Sequence, residues 1–301
     1  MYLQHFHLAQ APFSLTPNTG FFFGLAPHVE ALQVLQTALQ TGEGFIKVTG
    51  EVGTGKTLIC RKLLNDIPER FHCAYLPNPY LSPSELRWAL ALELGLKYSA
   101  DMDQQRLTSL IQQQLIALSA HGHSIVLVLD EAQALPDESL EALRLFTNLE
   151  TESRKLLQVV LFGQPELDSR LQQTQFRQLR QRITFSYRLR PMTADETRAY
   201  QIHRLEVAGY RGEGLFGVRE SKRIARAARG IPRLINILSH KALLLAYGEG
   251  ADRVSLRHVK GAIADTQDAD KGLFPTWWLG TFGAASLCAG ALWFWLTRGL
   301  A

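Results

Sequence analysis

Eight consecutive residues, Gly50-Glu51-Val52-Gly53-Thr54-Gly55-Lys56-Thr57, fit the pattern G-x-x-x-x-G-K-[ST]. Glycines at three of these positions let the backbone curl until its N–H groups face one point. A helix N-terminus that follows adds its positive end, so the occupant such a loop suits is a chain of phosphates. In that setting Lys56 is the charge for the β and γ phosphates, and the Thr57 hydroxyl is a ligand for Mg2+. About 75 residues further on, the apolar run Ile125-Val126-Leu127-Val128-Leu129 ends on Asp130-Glu131. Asp130, at the tip of a buried strand expected next to the phosphate strand, supplies the anion that Mg2+ and its waters need. Glu131, one position later, reaches the γ-phosphate side as a general base for water. Together the two motifs point to binding and hydrolysis of ATP.

Three further positions carry open alternatives. Gln164, in Gly163-Gln164-Pro165, either positions water and senses the γ-phosphate or is a turn residue. Arg180 and Arg182 stand just before an expected strand, and either suits a finger that reaches a neighbouring subunit's nucleotide. Arg233, in Gly230-Ile231-Pro232-Arg233, leans over the phosphates from a second domain or simply starts a surface helix.

The elements that must hold these residues are legible in the pattern. Short apolar strands are expected at Phe45 to Thr49, Phe71 to Leu76, Ser124 to Leu129, Leu156 to Phe162 and Ile183 to Leu189, with helices between them. Continuous apolar runs such as 125–129 mark strands buried on both faces, which argues a parallel sheet covered by helices on each side. Ser82-Pro83-Ser84-Glu85 and Thr193-Ala194-Asp195-Glu196 are capping boxes that open helices. After Pro191 the pattern is helical only. The expected organisation is an α/β nucleotide core over 1–191 with an aromatic lead-in, then an all-helical lid over 192–270.

Composition limits the classes further. Across 301 residues, 46% are hydrophobic and 20% charged, which fits a globular chain and excludes a disordered or polytopic one. Three cysteines are too few and scattered for a metal cluster or disulfide framework, and Met1 to Gln10 shows no secretory signal. Charge is uneven. Residues 1–169 hold 11 basic and 18 acidic groups, whereas 170–233 hold 15 basic, fourteen of them Arg, against 5 acidic. Arginine is the planar donor suited to phosphate and carboxylate, and a solvated basic face is the plainer account.

In order, the loop at 50–57, Asp130-Glu131, Gln164, the arginines near Arg182 and Gly-Ile-Pro-Arg at 230–233 resemble an AAA+ ATPase. More narrowly, Asp130-Glu131-Ala132-Gln133, Gly163-Gln164-Pro165-Glu166-Leu167 and Pro12-Phe13-Ser14-Leu15 resemble the ExeA/GspA family of inner-membrane ATPases, which serve type II secretion and type IV pilus assembly. The resemblance covers residues 1 to about 297. It implies a five-stranded parallel P-loop sheet, a helical lid, ATP with Mg2+ between them, and a homo-oligomer in which a neighbouring subunit completes the site. Its partners would be secretion or pilus assembly proteins of the bacterial inner membrane. By resemblance, Lys56 and Thr57 serve phosphate and Mg2+, Asp130 serves Mg2+, and Glu131 activates water. Gln164 is then a first sensor, Arg233 a second sensor, and Arg182, ahead of Arg180, the finger. ExeA-type chains continue into a peptidoglycan-binding domain, whereas this sequence stops four residues after Thr297. Wall binding is therefore not expected, and the short form is similar to the ATPases of mannose-sensitive haemagglutinin (MSHA) pilus systems.

Trp277 to Leu296 is a run of 20 residues without a charge, about 30 Å long as a helix, with Trp277 and Trp278 at one end and Trp293 and Trp295 at the other. A single transmembrane helix at 277–297 is expected, with the nucleotide domain on the cytoplasmic side where ATP and Mg2+ reside. A buried C-terminal helix or an oligomer contact is the other reading. The positive stretch and the motif order also fit a DNA-associated AAA+ ATPase of initiator or transposition-helper type. No recognisable nucleic-acid-binding module accompanies them, and a membrane span is unexpected in that class.

Overall fold

The computed structural model describes residues 2–77, 79–97, 102–146 and 155–271. In chain order these form α1 (Tyr2–His5), α2 (Ala26–Gln40), β1 (Phe45–Thr49), α3 (Lys56–Asp66), β2 (Phe71–Leu76), α4 (Pro83–Glu93), α5 (Gln104–Ala120), β3 (Ser124–Leu129) and α6 (Asp137–Phe146). Then follow β4 (Leu157–Gly163), α7 (Pro165–Leu171), α8 (Arg177–Arg182), β5 (Ile183–Arg188), α9 (Ala194–Val207), α10 (Val218–Ala227), α11 (Pro232–Gly248) and α12 (Leu256–Ala264). Both capping boxes form: Ser82 and Thr193 accept from the backbone of Glu85 and Glu196, whose carboxylates reach back to the cap N–H. The pattern did not mark α6, α7 and α8, three helices of ten residues or fewer.

The five strands are parallel in the order β2-β3-β4-β1-β5. Because side chains alternate across a strand, each strand feeds two cores. Ile125, Leu127, Leu129, Leu157, Val159 and Leu161 face α4 to α8, while Val126, Val128, Val160, Phe162, Ile46 and Val48 face α2 and α3. One expectation is corrected here: β3, which ends on Asp130, is not next to the phosphate strand β1. β4 lies between them, registered on both. All seven β4 positions are buried, so it takes the centre of the sheet, whereas β5 alternates half-buried and exposed residues and takes an edge.

Helices α9 to α12 enclose a separate core around Leu205, Ile224, Ile235, Leu238 and Val259. The aromatic lead-in joins this helical core: Phe6, Phe13 and Phe21 are buried in it, and Phe13 meets Phe216 edge-on at 5.8 Å. Arg204 of α9 ties the two together. Its guanidinium is buried, donates to the carbonyls of Pro12 and Ser14 and to the Tyr200 hydroxyl, and sits 4.4 Å from the centre of the Phe21 ring. Among the described residues no helix is long and apolar enough to cross a membrane, and the span expected at 277–297 lies outside them.

Truncating Arg204 to Ala leaves the Pro12 and Ser14 carbonyls without their donor and removes one of the two partners of the buried Tyr200 hydroxyl. The expected loss of stability is about 2–4 kcal/mol, read from the denaturant midpoint, with faster proteolysis inside residues 1–25.

Candidate functional site

All five strands point their C-terminal ends to one edge of the sheet, and the site is built there. The loop after β1 needs backbone that only glycine adopts without strain: Gly53 and Gly55 have φ of 82° and 99°. A Cβ on Gly53 would lie 2.6 Å from Cβ of Arg233, so the loop touches the first turn of α11 there, and the Arg233 N–H donates to the Gly53 carbonyl at 3.2 Å. Behind the loop, the buried His28 contacts the Thr54 carbonyl through Nε2 at 2.9 Å. A carbonyl only accepts, so Nε2 carries the proton, and burial lowers the imidazole pKa and keeps it neutral.

Lys56 is 5% exposed, and its Nζ donates to the carbonyls of Gly50 and Glu51 at 2.7 and 3.0 Å. Burial lowers its pKa, while Glu131 and Asp130 work the other way. The Thr57 hydroxyl donates to Oδ2 of Asp130 at 2.8 Å, across the width of β4. Asp130 is 3% exposed, and burial raises its pKa even though the Thr57 hydroxyl and the Glu131 N–H both donate to it. This hydroxyl–carboxylate pair of hard oxygens, one of them on a buried acid in want of a counter-charge, fits Mg2+. That ion takes few protein ligands and fills its shell with water and phosphate oxygens.

Glu131 stands in the left-handed region at φ 53°, a conformation that turns its side chain off the strand axis. Its Oε2 accepts from Gln133 Nε2 at 2.6 Å and from Gln164 Nε2 at 3.0 Å. Gln133 Oε1 in turn accepts the Gln164 N–H at 2.9 Å. Both ends of one amide are thus used to fasten the tip of β3 to the tip of β4. Burial pushes the Glu131 carboxyl up, and the two amides together with the Lys56 charge outweigh it, so its pKa lies below the usual carboxylate range. The result is an ionised carboxylate held at one oxygen, able to take a proton from water at the other. Gln133 was not singled out from the sequence as a site residue. The signal was its place two residues after Glu131 in the same string.

The lead-in, the loop and the lid border a cleft of about 200 Å3 that is open on one side. Lys56, Thr57, Glu131 and Arg233 line it, and so do Ser14, Asn18, Tyr200, Arg204 and Asn236, which sequence reasoning left out. Arg233 is exposed on the first turn of α11. A cation there is unfavourable beside the positive end of the helix, and an anion in the cleft would offset that cost. Gln164 reaches the site through Glu131. Arg180 and Arg182 are not among the residues that line the cleft. They sit on α8, where Arg180 donates to the Gln172 carbonyl and Arg182 to the Arg144 carbonyl.

Comparison with known proteins agrees with this architecture. Residues 39–171 match the AAA domain family. General secretion pathway protein A of Aeromonas hydrophila is 40% identical over 296 residues, which is 98% of this chain. The chain is thus similar to general secretion pathway protein A over nearly its whole length and contains an AAA domain. It spans about half, 54%, of that relative's length. Among solved structures, Cdc6p of Pyrobaculum aerophilum is similar with a TM-score of 0.60 at 19% identity, covering 82% of this chain and 70% of that one. The ORC2 protein of Aeropyrum pernix has a TM-score of 0.59 at 16% identity, covering 83% and 72%. At such identity the likeness is one of fold: a nucleotide-binding α/β AAA core with a five-stranded parallel sheet.

Replacing Gln133 with Leu removes the clasp on Glu131. ATP turnover is expected to fall roughly 10- to 100-fold with nucleotide affinity retained. The acid limb of its pH profile should move to higher pH, because Glu131 loses a donor that holds its pKa down. An unmoved acid limb would show that the clasp does not act on the carboxylate.

Proposed function

We propose that this chain is a Mg2+-dependent ATPase whose site a neighbouring copy completes. It works tethered to the bacterial inner membrane with the nucleotide domain in the cytoplasm, and its cycle drives assembly or placement of a type II secretion or MSHA-like type IV pilus complex. The observation that carries the catalytic part is that Lys56, Thr57 and an amide-clasped Glu131 line one cleft, with Asp130 hydrogen-bonded to Thr57 behind it.

In this reading the backbone from Gly50 to Thr57 cradles the phosphates. Lys56 moves from its loop carbonyls to the β and γ phosphate oxygens. Thr57 and Asp130 would hold Mg2+, which would supply charge neutralisation for the phosphates. Glu131 accepts a proton from the water whose oxygen forms the new bond to the γ phosphorus while the bond to the ADP oxygen breaks. Gln164 keeps Glu131 oriented and reports the state of the γ-phosphate through the same hydrogen bond. Arg233, docked on Gly53, couples that state to the lid. Arg182 lies away from its own chain's cleft, which supports a role toward a neighbour's nucleotide.

The tether draws on the uncharged run Trp277 to Leu296 and its paired tryptophans. The secretion role draws on the relative's name, and the MSHA-like pilus role draws on the resemblance of the short sequence. A nucleic-acid role draws on the charge of residues 170–233.

Glu131→Gln should bind ATP with unchanged affinity and hydrolyse it about 10²- to 10⁴-fold more slowly, and equal loss of both would contradict the base role. Arg182→Ala should be as slow alone at any protein concentration, yet regain activity when mixed with Glu131→Gln, because each supplies what the other lacks. Failure to complement removes Arg182 as the finger.

A further inference from the structure

The arginine surplus has a definite place. On α10, Arg219, Lys222 and Arg226 are exposed and Arg223 partly so. Arg229, just past the helix end, is exposed as well. Their spacing of three and four residues puts them along one side of the helix. Ser221, Ile224, Ala225 and Ala227 are buried in the lid core on the opposite side, which fixes the basic side outward. None of the five basic groups enters an ion pair among the described residues. Glu220, the carboxylate of this helix, turns back toward Gly217 at the helix start. Arg229 stands at φ 51°, where asparagine or glycine would be less strained.

The same helix end is where the chain leaves the lid. The Asp270 N–H donates to the Ala227 carbonyl at 2.8 Å, with Asp268, Asp270 and Lys271 exposed beside it. Six residues, 271–276, then separate this point from Trp277. Fully extended, six residues reach about 20 Å, and α10 is itself about 15 Å long. If Trp277 to Leu296 crosses a bilayer, the basic stripe is held within a short leash of the headgroups, where basic clusters beside a span bind acidic lipids.

We infer that the exposed side of α10 docks on an anionic phospholipid surface. The inference rests on the tether in the functional reading above. The occupant is a lipid surface because the chain's own exit keeps the stripe beside one, whereas nothing comparable holds a nucleic acid there. The contact also sets the lid, whose α11 bears Arg233 on Gly53, against the bilayer.

The test uses the full chain in nanodiscs of phosphatidylcholine alone or with phosphatidylglycerol, with trace acylation of lysines read by mass spectrometry. Acylation of Lys222 is expected to slow at least about threefold in the anionic discs and to recover at about 0.5 M salt, with Lys62 on α3 unchanged in both. In R219Q/R223Q/R226Q, which keeps Lys222 as reporter, the protection should vanish while ATP turnover in detergent stays the same. Equal Lys222 rates in the two discs, or protection that survives in the variant, overturns the inference. Protection by a short DNA duplex but not by anionic discs assigns the stripe to nucleic acid and overturns it equally. Carbonate extraction of the chain from membranes separates the two readings. If the chain is released, the tether fails on its own. The stripe is then tested by flotation with phosphatidylglycerol vesicles, where salt-sensitive binding lost in the variant supports it and no binding overturns it.

Discussion

The hydrogen bond from Thr57 to Asp130 is the constraint around which the rest of the molecule is arranged. It joins residues 73 positions apart, one in the first turn of α3 and one just past β3, over the end of β4. For it to form, β1, β4 and β3 must end at one level, which a parallel sheet with in-register strands provides. Asp130 must also be buried, and that burial raises its carboxyl pKa, so a positive partner would favour its ionised form. The sheet's apolar packing thus holds in place an arrangement of polar atoms that would not persist by itself.

The neighbouring contacts fix what that pair cannot. Asp168 of α7 receives the Lys47 ammonium and the Thr49 hydroxyl, the latter at 2.9 Å, and so pins α7 to β1 just below the loop. That sets Gln164, the N-cap of α7, at the height of Glu131. Gln133 closes the gap with its two-ended amide, and Arg170 from α7 donates to the Gln133 carbonyl at 2.8 Å. The Glu131 carboxylate is thereby positioned by a helix whose own anchor is an ion pair on β1, the strand that leads into the glycine-rich loop.

The lid meets this edge at few points, and those points are specific. Arg233 rests on Gly53, and Arg204 with Tyr200 and Asn236 forms a polar chain from the lead-in into α11, with Tyr200 donating to Asn236 at 3.0 Å. Arg204 is a buried cation whose partners among the described residues are carbonyls, a hydroxyl and aromatic faces. The lead-in therefore packs as part of the lid core, and one wall of the cleft is carried by residues far earlier in the chain than the helices they pack on.

The sequence by itself determined what depends on near neighbours along the chain. The phosphate loop needs three glycines, a lysine and a hydroxyl in eight positions; the capping boxes need residues three apart; buried strands need apolar runs. Asp130, Glu131 and Gln164 were legible because each ends such a run. The tertiary structure decided what depends on which runs become neighbours. It placed β4 between β1 and β3, where all seven of its positions are buried and the Gln158 amide donates to the Leu39 and Glu43 carbonyls. It gave Gln133 and Arg204 roles through partners 31 and 192 positions away, distances over which no local pattern carries a signal. It also separated the arginines, setting Arg204 in a core, Arg233 on the loop and Arg219 to Arg229 on an open face, although in the sequence they form one undivided surplus.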